Sequence, residues 1–212
     1  MRLGIFGGSF DPVHLGHLWI GEAATETLSL DRLLWIPSAT QPLKPDGAVA
    51  SDAQRLEMLR LAIAGRSDHE VDDRELRRQG VSYTVDTVEE IRREQAGAEI
   101  YLVIGSDSLA SLRQWHQPER LLEQVVLAVV RRGGEAPVEF DVLDGLVSDD
   151  RIEQFRRSVI KMPVIEISSR DIRGRVGQGR SIRHRDPHAV QTYIEANALY
   201  GFKPLVEASR EQ

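Results

Sequence analysis

Short apolar runs alternate with helix-period patterns along most of the chain. Leu3 to Phe6 reads as a buried strand, and Leu15 to Leu28 is compatible with a helix. Arg32-Leu33-Leu34-Trp35-Ile36 forms a second strand, stopped by Pro37. Ser51-Asp52-Ala53-Gln54 is a capping box, in which the Ser oxygen and the Gln amide satisfy orphan N–H groups, and it predicts a helix to about Ala64. A third strand is expected around His69 to Val71. Thr84 is placed to cap a helix with Val85, Val88 and Ile91 on one face. Glu99 to Ile104 and Val125 to Val130 are apolar and largely β-branched, as strands buried on both faces require. Val164 to Ile167 predicts a sixth strand. Asp186-Pro187 starts a last helix, with Asp as N-cap, Pro at N1, and Val190, Tyr193 and Ile194 on one stripe.

This alternation predicts an α/β fold: a doubly wound parallel sheet of about six strands with helices on both faces. In such a sheet the ligand sits beyond the carboxyl ends of the strands, so the residues just after each strand matter most. The expected domain spans 1–202, with 160–202 as a small helical subdomain and 203–212 as a frayed tail. Arg132 to Arg157 is polar and irregular, read as an insertion or loop followed by a short surface helix.

Composition narrows the function classes. The chain has 212 residues, 41% hydrophobic and 28% charged, enough for one compact domain. The net charge of −6 disfavours nucleic acid as a partner but says nothing against a small phosphate ligand, which needs only a local positive site. With no cysteine, disulfides, thiolate metal sites and a cysteine nucleophile are excluded. No apolar run approaches the ~20 residues that cross a bilayer. Met1 to Gly8 is too short for a signal segment, so the expectation is a cytoplasmic protein with no membrane partner. No coiled-coil seam specifies an oligomer.

The first strand runs into Gly7-Gly8-Ser9-Phe10-Asp11-Pro12-Val13-His14-Leu15-Gly16-His17. This is neither the dinucleotide fingerprint nor a P-loop. The physics is of the same kind: two glycines allow close backbone approach, and the next helix offers N–H groups and its positive dipole end to an anion. Two histidines three apart at that helix start can face one phosphate. The alternatives are an ordinary strand-to-helix turn, or two ligands of a metal, for which no third ligand is evident. Asp107, after Gly105, either caps the next helix or hydrogen-bonds a ribose hydroxyl.

The eleven-residue string resembles the HxGH signature of the nucleotidyltransferase superfamily, whose members share a Rossmann-like fold. Further stretches are similar, in order, to motifs of the bacterial nicotinate-nucleotide adenylyltransferases. They are Ser82-Tyr83-Thr84-Val85-Asp86-Thr87, Gly105-Ser106-Asp107-Ser108-Leu109 with Trp115 downstream, Arg131 after the fifth strand, and Ile167-Ser168-Ser169-Arg170-Asp171-Ile172-Arg173. The match runs from Met1 to about Phe202. The resemblance implies adenylyl transfer from ATP, with Mg²⁺ on its phosphates, to nicotinate mononucleotide. The rivals are the same chemistry on nicotinamide mononucleotide or phosphopantetheine, and a nucleotide-binding module without turnover.

The resemblance also implies roles. His17 and His14, with Lys44 and Arg173, carry the chemistry. ATP lies against Gly7, Gly8, Ser9, Phe10, Gly105, Asp107, Ile167, Ser168 and Ser169 as well as those four. The nicotinate nucleotide meets Gly8, Ser9, Tyr83, Thr84, Trp115, His116 and Arg131, its ring stacked on the indole. Main-chain N–H groups near Tyr83-Thr84 and after Trp115 grip the carboxylate, and they favour it over a carboxamide. Mg²⁺ is held mainly by phosphates and water, with no protein metal site. Two positions depart from the family pattern: Leu43 stands where His is common, and Arg170 where Thr is common.

Overall fold

The computed structural model describes residues 1–42, 47–134 and 136–202. Lys44 and Leu43 lie outside these residues, as does the 203–212 tail. The elements run β1 (Arg2–Gly8), α1 (Leu15–Leu28), β2 (Arg32–Pro37), α2 (Asp52–Ile63), β3 (His69–Val71), α3 (Arg74–Arg78), α4 (Thr84–Glu94), β4 (Glu99–Gly105), α5 (Ser106–Ala110) and α6 (Pro118–Gln124). They continue through β5 (Val126–Arg132), α7 (Asp149–Arg157), β6 (Ile160–Met162), α8 (Ser169–Gly177) and α9 (His188–Ala196). Short 3-10 turns lie at Leu112–Gln114, Asp141–Leu143 and Leu199–Gly201.

All six strands are parallel, in the order β3-β2-β1-β4-β5-β6. The chain builds outward from β1 in one direction through β3, then returns to the other side of β1 with β4. The crevice at the carboxyl ends of β1 and β4 is therefore the topological switch point, the place where such sheets bind ligands. β1, β4 and β5 are buried on both faces through Leu3, Phe6, Leu102, Val103, Ala128 and Val129, which is why their sequences are continuous apolar runs. Among the described residues, no helix is long and apolar enough to cross a membrane.

Several boundaries depart from the sequence expectation for physical reasons. The sixth strand is Ile160–Met162, paired with Val130–Arg132, and not Val164 to Ile167. Pro163 has no N–H to donate, so the ladder ends before it and the apolar residues beyond run unpaired into α8. Thr84 is the first helical residue of α4; the N-cap is Tyr83, in extended conformation, with no side-chain capping bond. Pro187, not Asp186, is the N-cap of α9, and Asp186 instead turns inward and is buried. Helices α3, α5 and α6 have five, five and seven residues, too few for a period to show in the sequence. Within the polar 132–157 stretch, α7 seats Ile152 and Phe155 against the core.

Candidate active site

The site grows from the β1–α1 junction. His14 is the N-cap of α1, with φ −145° and ψ 171°. Its Nδ1 accepts the His17 backbone N–H at 3.3 Å, while the His14 backbone N–H donates to His17 Nδ1 at 3.3 Å. The two histidines thus form a reciprocal capping box on each other, with rings stacked at 3.7 Å between centroids. Because each Nδ1 accepts a backbone hydrogen, the proton of each neutral ring belongs on Nε2. Burial, reinforced by the positive charge of Arg132, lowers the His14 pKa to about 4. At neutral pH His14 is therefore a neutral N–H donor with an assigned tautomer. Gly16 makes room for this arrangement: a Cβ there would stand 3.1 Å from His14 ring atoms.

The glycine loop ahead of the histidines is held from behind. Gly7 is exposed, and a Cβ on it would meet nothing closer than the Ile36 carbonyl at 4.0 Å, so the backbone is open to a ligand. The Gly8 carbonyl accepts the Ser38 backbone N–H at 2.9 Å. Arg55, 1% exposed, donates at 2.7 Å to the Ser9 and Ser38 carbonyls and at 2.6 Å to Asp52. Phe10 has left-handed backbone (φ 46°) and turns its ring into the core, edge-on to Phe6 and His17. A ligand can therefore meet Phe10 only through its main chain.

Asp11 is a buried hub. Its Oδ2 accepts the Val49 N–H at 2.7 Å, and its Oδ1 accepts the Ala50 N–H at 3.1 Å and the Tyr200 hydroxyl at 2.8 Å. Helix α8 docks on the same loop: Ser169 Oγ donates to the Pro12 carbonyl at 2.8 Å, and Arg173 donates to the Asp11 carbonyl at 2.6 Å. Arg173 also lies 3.6 Å from the Asp11 carboxylate and stays partly exposed. Ser168 is the N-cap of α8, accepting from the Asp171 N–H at 3.1 Å. Ile167 is half-buried just ahead of it, and Arg170 is exposed.

The remaining expected residues lie around the same end of the sheet. Asp107 is the second residue of α5 and is exposed. The N-cap there is Gly105, without a side-chain cap, so the capping alternative for Asp107 is not realised. The Asp107 carboxylate folds back over Gly105, 2.5 Å from where a Cβ would sit. Ser82 ties the Tyr83-Thr84 segment to the end of β2: its Oγ accepts the Ala39 N–H at 3.1 Å and its N–H donates to the Thr40 carbonyl at 2.9 Å. The Tyr83 ring lies 4.3 Å from the ring of His116, joining this segment to the one after Trp115, itself half-buried against the core. Arg131 lies within β5, opposite Lys161, whereas its neighbour Arg132 is the cation whose charge reaches His14. Arg55, Asp11, Tyr200 and Arg132 were not expected from the sequence. Among the described residues, no group of three His, Cys, Asp or Glu side chains is placed to hold a metal ion.

Comparison with known proteins shows the family and the fold. A cytidylyltransferase-like family model matches residues 5–175. A relative from Rhodopirellula baltica, named "probable nicotinate-nucleotide adenylyltransferase", is 50% identical over 198 residues, 93% of this chain and 92% of its own. One of the same name from Gemmatimonas aurantiaca is 44% identical over 213 residues, 100% of this chain and 98% of its own. Among solved structures, the Plasmodium falciparum nicotinic acid mononucleotide adenylyltransferase complexed with NaAD superposes with TM-score 0.73 at 17% identity, covering 95% of this chain and 98% of that one. At that identity the likeness speaks for the fold alone.

Proposed function

The chain belongs to the nicotinate-nucleotide adenylyltransferase family of cytidylyltransferase-like proteins, and on that premise we propose that it transfers the adenylyl group of ATP to nicotinate mononucleotide. The products are nicotinate adenine dinucleotide and pyrophosphate. The observation that carries the reading is the reciprocally capped His14–His17 pair at the β1–β4 crevice of a chain so similar to these relatives.

The nucleophile is a phosphate monoester with a second pKa of about 6, already dianionic at neutral pH. One of its oxygens bonds to the α-phosphorus as the bond from that phosphorus to the bridging oxygen of the β-phosphate breaks, and the electron pair leaves with pyrophosphate. No proton needs to be removed from the nucleophile, so no general base is required. A neutral His14 suits this role, since it donates a hydrogen bond to a phosphate oxygen and has no tendency to take a proton. His17 donates likewise from the first turn of α1, whose dipole favours the gathering negative charge. Ser168, Ser169, Arg173 and Lys44 are assigned to the triphosphate, with the exposed Gly7 backbone, Gly8 and Ser9 beside it.

Mg²⁺ enters as part of the substrate, MgATP. The residues present fit that role better than a resident metal site, because the buried Asp11 carboxylate is already engaged by three hydrogen-bond donors. Bound to the phosphates, the ion supplies charge neutralisation. The nicotinate carboxylate is assigned to the first N–H groups of α4, which have no side-chain cap, and its ring to Trp115, half-buried and next in sequence to His116. Acceptor-less N–H groups favour a carboxylate over an amide NH₂. Arg131 is assigned to the mononucleotide phosphate, and Asp107 to a ribose hydroxyl. The reaction needs neither nucleic acid nor a membrane, and it is assigned to the cytoplasm, a compartment that supplies MgATP.

Pyrophosphate release tests the reading, with MgATP and nicotinate mononucleotide, nicotinamide mononucleotide or phosphopantetheine supplied in turn. Release with the first and much less with the others is expected, and chelation of Mg²⁺ should stop it. Preference for phosphopantetheine would overturn the acceptor. MgATP binding without release to any acceptor would make the protein a binding module.

A further inference from the structure

We propose that Tyr200, twenty-seven residues beyond the last family motif, is a positioning residue of the active site that acts through Asp11 to keep Arg173 available to the triphosphate. The inference deepens the proposed function and rests on MgATP being the ligand of that site.

Tyr200 sits in the 3-10 turn Leu199–Gly201, with left-handed backbone at φ 56° and ψ 26°. Non-glycine residues adopt that region only where the surroundings over-determine it. Here the turn packs against α8 and α9. Its reward is one directed contact: the hydroxyl donates to Asp11 Oδ1 at 2.8 Å across 189 positions of sequence. Met58 Sδ of α2 lies 4.0 Å from the Tyr200 hydroxyl oxygen. Burial and the adjacent Asp11 charge push the Tyr200 hydroxyl far above its usual pKa of 10, so it is a permanent donor.

The consequence for Arg173 follows from how the Asp11 charge is shared. The carboxylate, 3% exposed, answers to two backbone N–H groups, the tyrosine hydroxyl and Arg173 at 3.6 Å. That last distance is looser than a charge-assisted bond of about 2.8 Å. Arg173 is held instead through the Asp11 backbone carbonyl at 2.6 Å, a neutral acceptor. Without the hydroxyl, Oδ1 retains only the Ala50 N–H at 3.1 Å, and the nearest charge able to replace the missing donor is Arg173. A guanidinium drawn into a tight ion pair has less charge to offer a phosphate. Tyr200 thus prevents Asp11 from capturing Arg173.

Tyr200→Phe, made in the full chain, keeps the ring and removes only the donor. The KM for MgATP should rise about tenfold, the scale of one lost hydrogen bond to a charged group, while the KM for nicotinate mononucleotide stays within about twofold. In an Arg173→Gln background, which already has a raised KM, Tyr200→Phe should add nothing to the KM for MgATP. Direct titration of MgATP into each variant reads the same effect without turnover. It therefore separates failure of this proposal from failure of the acceptor assignment. A lower thermal midpoint with both KM values and MgATP affinity unchanged would make Tyr200 merely structural and overturn the proposal. Additive effects of the two substitutions would do so as well.

Discussion

His14 has two jobs that one substitution can separate. Its Nδ1 caps α1 by accepting the His17 N–H, and its Nε2–H is the donor assigned to the phosphates. Asparagine is a strong N-cap and its Oδ1 can accept the same N–H, but it has no donor at the Nε2 position. His14→Asn should therefore lie within about 1 kcal/mol of the parent in stability, whereas His14→Ala should lose about 1 kcal/mol more from the vacated cap. Both should lose turnover about 10²- to 10³-fold, the usual effect of removing one donor from a site of developing negative charge. Urea unfolding and pyrophosphate release measure the two effects separately. The pH profile adds a third reading. With a pKa of about 4, His14 does not titrate above pH 5, so the loss of rate on acidification should centre near pH 6, where the substrate phosphate gains its proton. His14→Asn should leave that midpoint unmoved. If the acid limb shifted with the substitution, or if turnover stayed near normal, the neutral-donor role would be wrong.

Other outcomes follow from buried polar groups. Asp186 is 4% exposed with neither oxygen partnered, and burial, with a smaller push from Glu195, raises its pKa to about 7. Because its folded pKa exceeds the ordinary 3.8, the stability it contributes is full below 3.8 and is lost as pH rises through about 7. Asp186→Asn should then gain about 1–2 kcal/mol at pH 8, after allowance for water access, and nothing near pH 4. Urea midpoints at the two pH values test this, and an equal gain at both would refute it. Arg55→Met should cost about 2–4 kcal/mol, because the Ser9 and Ser38 carbonyls lose their charged donor; denaturation that leaves the midpoint unchanged would contradict it. Gly16→Ala should cut kcat at least about tenfold by displacing the His14 ring, with stability changing by less than about 1 kcal/mol. Steady-state kinetics beside a melting curve would reveal the reverse pattern.

What could be read in the sequence was what local chemistry repeats. β1, β4 and β5 announce themselves as apolar runs, and the capping box at Ser51 and Gln54 is realised with both bonds. The spacing of His14 and His17 is that same box, N-cap to N3, yet histidine at both places reads as a pair facing a phosphate, an ordinary turn or two metal ligands rather than as a mutual cap. The identical spacing was the signal that could have exposed the tautomers. Long-range partners left no such trace. Nothing near Asp11 foretells a hydroxyl from Tyr200, and an arginine in a charged helix looks solvated until Arg55 is found beneath the Ser9 carbonyl. That the charge of Arg132 reaches His14 is likewise not encoded in the periodicity of a buried strand. The displaced sixth strand was legible after all, since Pro163 stands between the expected segment and the true one.

The mutual capping of the two histidines bears on the direction of the reaction. On the proposed mechanism, a site whose donors are pinned by backbone hydrogens and exchange no proton with the substrates has no spent form to regenerate. In that proposed mechanism pyrophosphate attacking the dinucleotide meets the same N–H groups as the mononucleotide attacking ATP. Like any catalyst, the protein lowers one barrier seen from both sides and imposes no preference of its own. Net synthesis is decided by how quickly the surroundings consume pyrophosphate.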